Sequence, residues 1–234
     1  MDGKRILLIV GGGIAAYKAC ELIRLIRKAG MSVRCVLTEG GAHFVTPLTL
    51  AALSEQPVHT SLWDLKDEVE MGHIQLSREA DLVLVCPATA NLLAKMAAGI
   101  ADDLATTLLL ATDKPVLACP AMNVRMWEHP ATRRNVAQLR GDGIAILDPD
   151  EGEMACGEYG PGRLPEPDAI LAAIGLTLLP EVLRGGLLPE FVRNAVPGQV
   201  WSVLPRWRMV IYSVILISAM LIQAKRRGMR RPRG

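Results

Sequence analysis

Arg5-Ile6-Leu7-Leu8-Ile9-Val10 runs directly into Gly11-Gly12-Gly13 and then into Ile14-Ala15-Ala16-Tyr17-Lys18. An apolar run without alternation, stopped by glycine, reads as a strand buried on both faces, as in a parallel sheet. Apolar residues at helical spacing over 15–29, with Gly30 beyond them, read as the helix that follows. The same unit recurs along the chain. Strands are expected at 32–37, 81–86, 115–119 and 144–147. Helices are expected at 47–54, 91–98, 102–111, 130–140 and 167–174. This alternation predicts an α/β fold, a doubly wound parallel sheet with helices on both faces. Ligands of such sheets sit at the carboxyl ends of the strands, where the strand order reverses. The unusual loops, 11–18, 38–46, 87–91 and 120–127, all follow strands, as the segments of one shared site do.

The chain has 234 residues, 50% hydrophobic and 21% charged, which suits one large α/β core and excludes wholesale disorder. The net charge of +2 hides a split. Residues 1–180 carry 16 Lys and Arg against 22 Asp and Glu, whereas 181–234 carry 10 against 2. The acidic body is a poor nucleic-acid binder, and no nucleic-acid partner is expected. The five cysteines, Cys20, Cys35, Cys86, Cys119 and Cys156, form no C-x-x-C pair. Neither a disulfide framework nor a metal site is expected, and the first four read as buried free thiols. The N-terminus lacks the pattern of a signal peptide, so a cytoplasmic location is expected.

Three regions are expected. Residues 1–174 form the α/β domain, 175–208 a Pro/Gly-rich linker or extension, and 209–234 an apolar segment with a basic tail. The uncharged run 209–224 would rise ~24 Å as a helix, short of the ~30 Å hydrocarbon core. Its basic flanks suit anionic lipid, so peripheral or tail-anchored membrane contact through 209–234 is one reading. An apolar helix against another subunit and a segment without selected function are the others.

Four loops carry candidate chemistry. Gly11–Ala15 lets backbone approach a phosphate at a helix start, or is simply a tight strand-to-helix turn; it is not the G-x-G-x-x-G dinucleotide pattern. In Pro87-Ala88-Thr89-Ala90-Asn91, Thr89 and Asn91 offer uncharged hydrogen bonds, or an ordinary helix cap. Asn123, in Pro120-Ala121-Met122-Asn123, can hold a carboxylate without neutralising it, or is a turn residue. His73 can serve as a base near neutrality, or be structural. Cys156 stands in a Gly- and acid-rich loop, as a proton donor on a lid or as an inert exposed thiol.

The ordered set Gly12–Lys18, His73, Pro87–Asn91, Lys95–Asp103, Pro120–Asn123 with Met126-Trp127, and Ala155-Cys156-Gly157 resembles the flavin-dependent cysteine decarboxylases. Within them it is most similar to the branch acting on phosphopantothenoylcysteine in coenzyme A synthesis. The resemblance covers residues 4–174 and implies a flavodoxin/Rossmann-like flavoprotein that binds FMN. It also implies a homotrimer or higher homo-oligomer and a small-molecule substrate, 4′-phosphopantothenoylcysteine, decarboxylated to 4′-phosphopantetheine. By the same resemblance, Gly12, Gly13, Ile14, Thr38, Pro87, Ala88, Thr89 and Asn91 would surround the flavin. Ala121, Met122 and Asn123 would meet the substrate, with Asn123 on its carboxylate. His73 would take the thiol proton, and Cys156 would return a proton in the reductive half. Oxidation of the thiol gives a thioaldehyde, the electron sink that a cysteine carboxylate otherwise lacks. Relatives acting on the C-terminal cysteine of a peptide stop at the enethiol, and some relatives are flavin-binding regulatory subunits; these are the alternatives. Cys156 favours the coenzyme A branch. Leu92, where a polar residue is usual, and Leu164-Pro165-Glu166-Pro167 depart from the family pattern. Nothing in 175–234 resembles the ligase domain to which many bacterial relatives continue.

Overall fold

The computed structural model describes residues 2–61, 72–154 and 157–182, with the backbone alone at 72–74 and 180–182. The linker and tail expected at 183–234 lie outside the described residues. Six parallel strands form the main sheet: β1 (Arg5–Val10), β2 (Ser32–Leu37), β3 (Val58–His59), β4 (Leu82–Ala88), β5 (Val116–Pro120) and β6 (Ala145–Ile146). Their order is β3-β2-β1-β4-β5-β6. The chain winds one way from β1 and the other way from β4, so the order reverses between them, and a crevice opens at their carboxyl ends.

The sheet is held by the alternation of its buried strands. Ile6, Leu8 and Val10 face one apolar layer with Leu22, Ile23 and Ile26. Leu7 and Ile9 face the other, with Leu93, Leu108 and Leu139. Each such side chain, wholly removed from water, contributes about 1.5–3 kcal/mol. The first layer is covered by α1 (Lys18–Lys28), α3 (Pro47–Ser54) and α9 (Pro167–Val182), the second by α4 (Gly72–Glu79), α5 (Ala90–Ala98), α6 (Leu104–Ala111) and α8 (Pro130–Gly141). Two short helices complete the set, α2 (Glu39–Ala42) after β2 and α7 (Val124–Glu128) after β5. A separate antiparallel hairpin joins β7 (Asp150–Glu153) to β8 (Tyr159–Arg163).

Several boundaries differ from the sequence reading. The first helix is split: a 3₁₀ turn over Ile14–Tyr17 precedes α1, set by Gly13 at φ +107°. The closing helix does not stop at Ile174. Ile170, Ile174 and Leu178 fall on one face four residues apart and are all buried in the layer shared with α1, so residues 175–182 continue the helix instead of opening an extension. Among the four thiols described, Cys35, Cys86 and Cys119 are buried as expected, and Cys20 only partly so. Burial pushes the Cys35 thiol up to about 12. Its contact with Cys86, and then burial, raise that of Cys119 well above the ordinary value. No helix among the described residues is long and apolar enough to cross a membrane.

Candidate active site

The loops after β1, β2 and β4 meet at the reversal point through glycines. A side chain at Gly11 would collide with the Pro87 carbonyl oxygen and come within 2.9 Å of Leu92 Cδ1. One at Gly12 would stand 3.1 Å from the carbonyl carbon and oxygen of Gly40. Bare backbone at both positions is therefore a condition of closure. Thr38 locks the arrangement. Its hydroxyl donates to the Val10 carbonyl at 3.0 Å and accepts from the Gly41 amide at 3.0 Å. Thr89 caps α5, accepting from the Leu92 amide at 3.2 Å.

These loops wall a cavity of about 690 Å³ lined by Gly12, Thr38, Gly40, Thr89, Asn91 and Lys95, among others. That volume lies within the usual range for cofactor and small-molecule sites, about 300–1,000 Å³. Its far wall carries Asp102 and Asp103. Lys95 bridges to both, at 2.7 and 3.1 Å. Asp103 also caps α6 through a reciprocal pair with Thr106, accepting from its amide at 2.8 Å. Burial pushes the Asp103 carboxyl up, but hydrogen bonds from Thr106 and Lys95 outweigh it and leave the group below its ordinary value. The hydrogen bond to Asp102 leads in raising the Lys95 ammonium. Leu92 is buried in the second apolar layer and also lines this cavity.

A second cavity, of about 670 Å³, shares Gly12 and is lined by Gly13, Ile14, Ala121, Met122, Asn123 and Lys18, among others. Three predicted substrate residues thus stand on one wall, and two predicted cofactor residues, Gly13 and Ile14, stand with them. Pro87 and Ala88 are buried as the last residues of β4 and line neither cavity. Asn123 caps α7, its Oδ1 accepting from the Arg125 amide at 2.8 Å. That contact turns Nδ2 away as the donor, and Nδ2 donates to the Glu158 carboxylate. On the opposite wall Lys18 Nζ donates to the Leu164 carbonyl and to Glu166, each at 3.0 Å. Hydrogen bonds from Lys18 and Arg163 hold the Glu166 carboxyl below its ordinary value.

His73 lies in the first turn of α4, and its side chain is outside the described residues, as is all of Cys156. No metal-binding cluster occurs among the described residues. Sequence reasoning assigned no site role to Lys95, Asp102, Asp103, Lys18 or Glu158. The adjacent acids at a helix start after Gly99 were the available signal for the first three.

A family model described as Flavoprotein matches residues 1–178. The coenzyme A biosynthesis bifunctional protein CoaBC of Vibrio parahaemolyticus is 49% identical over 185 residues, covering 79% of this chain and 46% of the relative. The protein of the same name from Escherichia coli is 50% identical over 171 residues, covering 73% and 42%. The chain thus spans less than half the length of these curated relatives. Among solved structures, a PPC decarboxylase mutant complexed with pantothenoylaminoethenethiol matches with TM-score 0.67 and 34% identity, over 74% of this chain and 97% of the other. The FMN-dependent cysteine decarboxylase SpaF matches with TM-score 0.65 and 31% identity, over 75% and 95%.

Proposed function

Since the chain belongs to the flavoprotein family, we propose that it is an FMN-dependent carbon–carbon lyase that converts 4′-phosphopantothenoylcysteine to 4′-phosphopantetheine in coenzyme A synthesis. The observation that carries this reading is adjacency. Gly12 lines both the glycine- and threonine-walled cavity and the cavity that holds Asn123, so a cofactor in one lies against a substrate in the other.

The residues present fit FMN. Gly12 keeps bare backbone on the wall that the two cavities share. Backbone amides at helix starts suit a phosphate, and Thr38, Thr89 and Asn91 add hydrogen-bonding groups without charge. Gly12, Thr38, Thr89 and Asn91 would hold the flavin from the first cavity, with Gly13 and Ile14 contributing from the adjoining one and Pro87 and Ala88 buried behind them at the end of β4. Bound FMN supplies the two-electron oxidation that creates a sink for decarboxylation, and afterwards returns the electrons.

The chain's own residues do the rest. Asn123 Nδ2 holds the substrate carboxylate by donation, without the ion pair that would overstabilise a group about to be lost. Ala121 and Met122 flank it. His73 accepts the thiol proton, and Cys156 gives a proton to the enethiol as it is reduced. The chain acts as a cytoplasmic homo-oligomer, trimeric or larger. Ile14 and Tyr17, beside the second cavity, are 63% and 59% exposed, which suits apolar residues that a second copy covers.

The test is anaerobic turnover of 4′-phosphopantothenoylcysteine by the purified, FMN-loaded chain, followed by product mass and flavin absorbance. Release of carbon dioxide, a saturated thiol product and flavin ending oxidised are expected. An FMN-loaded protein that leaves this substrate untouched but decarboxylates a peptide ending in cysteine would replace the substrate in this reading.

A further inference from the structure

The donor that is to hold the substrate's carboxylate already holds one. The two oxygens of Glu158 are gripped separately: Oε2 accepts from Asn123 Nδ2 and Oε1 lies 3.2 Å from Arg125 Nε. Glu158 sits at the turn between β7 and β8, where its carbonyl accepts from the Met154 amide at 2.9 Å. The hairpin is fixed to the same wall, because the Met122 amide donates to the Gly162 carbonyl at 3.0 Å. Gly160 lies so close to α7 that a side chain there would come 3.0 Å from Val124 Cγ1. The hairpin therefore delivers a carboxylate to the side chain whose proposed task is to receive a carboxylate.

We propose that Glu158 is a built-in competitor for the substrate's carboxylate seat, one that weakens the hold on ligands carrying that group and leaves the affinity of ligands without it unchanged. The inference rests on the reading above for the identity of the competing carboxylate. A planar carboxylate from the substrate matches Glu158 in charge and shape and can replace it on Asn123. The displaced Glu158 carboxylate, already 35% exposed, is then taken up by water. A ligand without a carboxylate leaves the Asn123–Glu158 contact standing and gains nothing from the seat. The product has lost that group, so Glu158 retakes Asn123 as carbon dioxide departs. Glu158 thereby sets the balance between substrate and product affinity, acting through Asn123.

The experiment compares wild type with Glu158→Gln, both FMN-loaded, reading KM for 4′-phosphopantothenoylcysteine and Ki for 4′-phosphopantetheine as product inhibitor. Glutamine is the same size but makes a neutral, weaker hydrogen bond, so KM falls about fivefold while Ki stays within about twofold. Glu158→Ala gives the same split and guards against a local defect of one variant. KM unchanged or raised, or KM and Ki falling together, overturns the proposal; a merely structural role would move both. Should the wild type bind FMN and make no product, the function above fails by itself. The same comparison is then made by equilibrium binding of pantothenoylcysteine against pantetheine. Tightening confined to the carboxylate-bearing ligand supports the proposal, and equal or absent tightening overturns it.

Discussion

Thr38 and Val10 are joined twice: the Thr38 amide and the Thr38 hydroxyl both donate to the Val10 carbonyl, at 3.1 and 3.0 Å. One residue thus ties the end of β2 to the end of β1, and the same hydroxyl accepts from Gly41 to start α2. Thr38→Val keeps the shape and the amide contact but loses the other two. Stability should fall by about 1–2 kcal/mol, with weaker retention of FMN, read by thermal denaturation and by flavin released on gel filtration.

Asn123→Asp replaces the donor with an acceptor of like charge to both Glu158 and the substrate. Loss of a hydrogen bond to a charged group, with repulsion added, should lower kcat/KM by about a hundredfold. FMN binding should survive, because Asn123 does not line the cavity that holds Thr38 and Thr89. Equal loss of flavin and activity would contradict the separation of the two cavities.

Gly11→Ala and Gly12→Ala should fail differently. The first drives a methyl into the Pro87 carbonyl, within buried structure, and should cost about 1–3 kcal/mol of stability. The second meets Gly40 at 3.1 Å on the cavity wall. It should leave a folded protein with impaired flavin binding, as judged by circular dichroism alongside bound-flavin absorbance.

Asp103 gives a pH dependence of definite sign. Its folded-state pKa lies below the ordinary value, so its stabilising contribution is present above the unfolded pKa and is lost as pH falls through the folded one. Asp103→Ala should cost about 1 kcal/mol near pH 7 through the lost cap. The gap between variant and wild type should narrow as pH drops below about 4. A gap that widens in acid would contradict the assignment.

The sheet was legible because β1, β4 and β5 are apolar runs wholly or almost wholly buried, as a buried parallel strand must be, and β2 ends on the buried run Cys35-Val36-Leu37. Helices α3, α5 and α8 were legible through Pro47, Gly99 and Pro130, which mark ends by backbone geometry alone. What was missed is held by tertiary contacts. Helix α2 reads Glu-Gly-Gly-Ala and depends on the Thr38 cap. Strand β3 is two residues at the sheet edge. The hairpin, Asp-Glu-Gly-Glu paired with Tyr-Gly-Pro-Gly-Arg, has no apolar alternation and takes its place through Met122 and Val124. The site followed the same division. Thr38, Thr89 and Asn123 stand in loops after strands, and Asn91 in the first turn of α5, positions that pointed to them. Lys95, Asp102 and Asp103 reach the cavity from helix termini, and Glu158 reaches Asn123 from a turn 35 residues away, a distance that local pattern does not cross.

The β7–β8 hairpin pairs only with itself and shares no ladder with the six-stranded sheet. A two-stranded ribbon is barely stable alone, and this one is held by the Met122–Gly162 bond and the packing of Gly160 on Val124, so it should open at lower free energy than the core. Amide deuteration should therefore sweep through residues 150–154 and 157–163 before β1 and β4 begin to exchange. If the hairpin opens first, the wall carrying Glu158 moves without the six-stranded sheet, and turnover need never borrow from the persistence of the sheet.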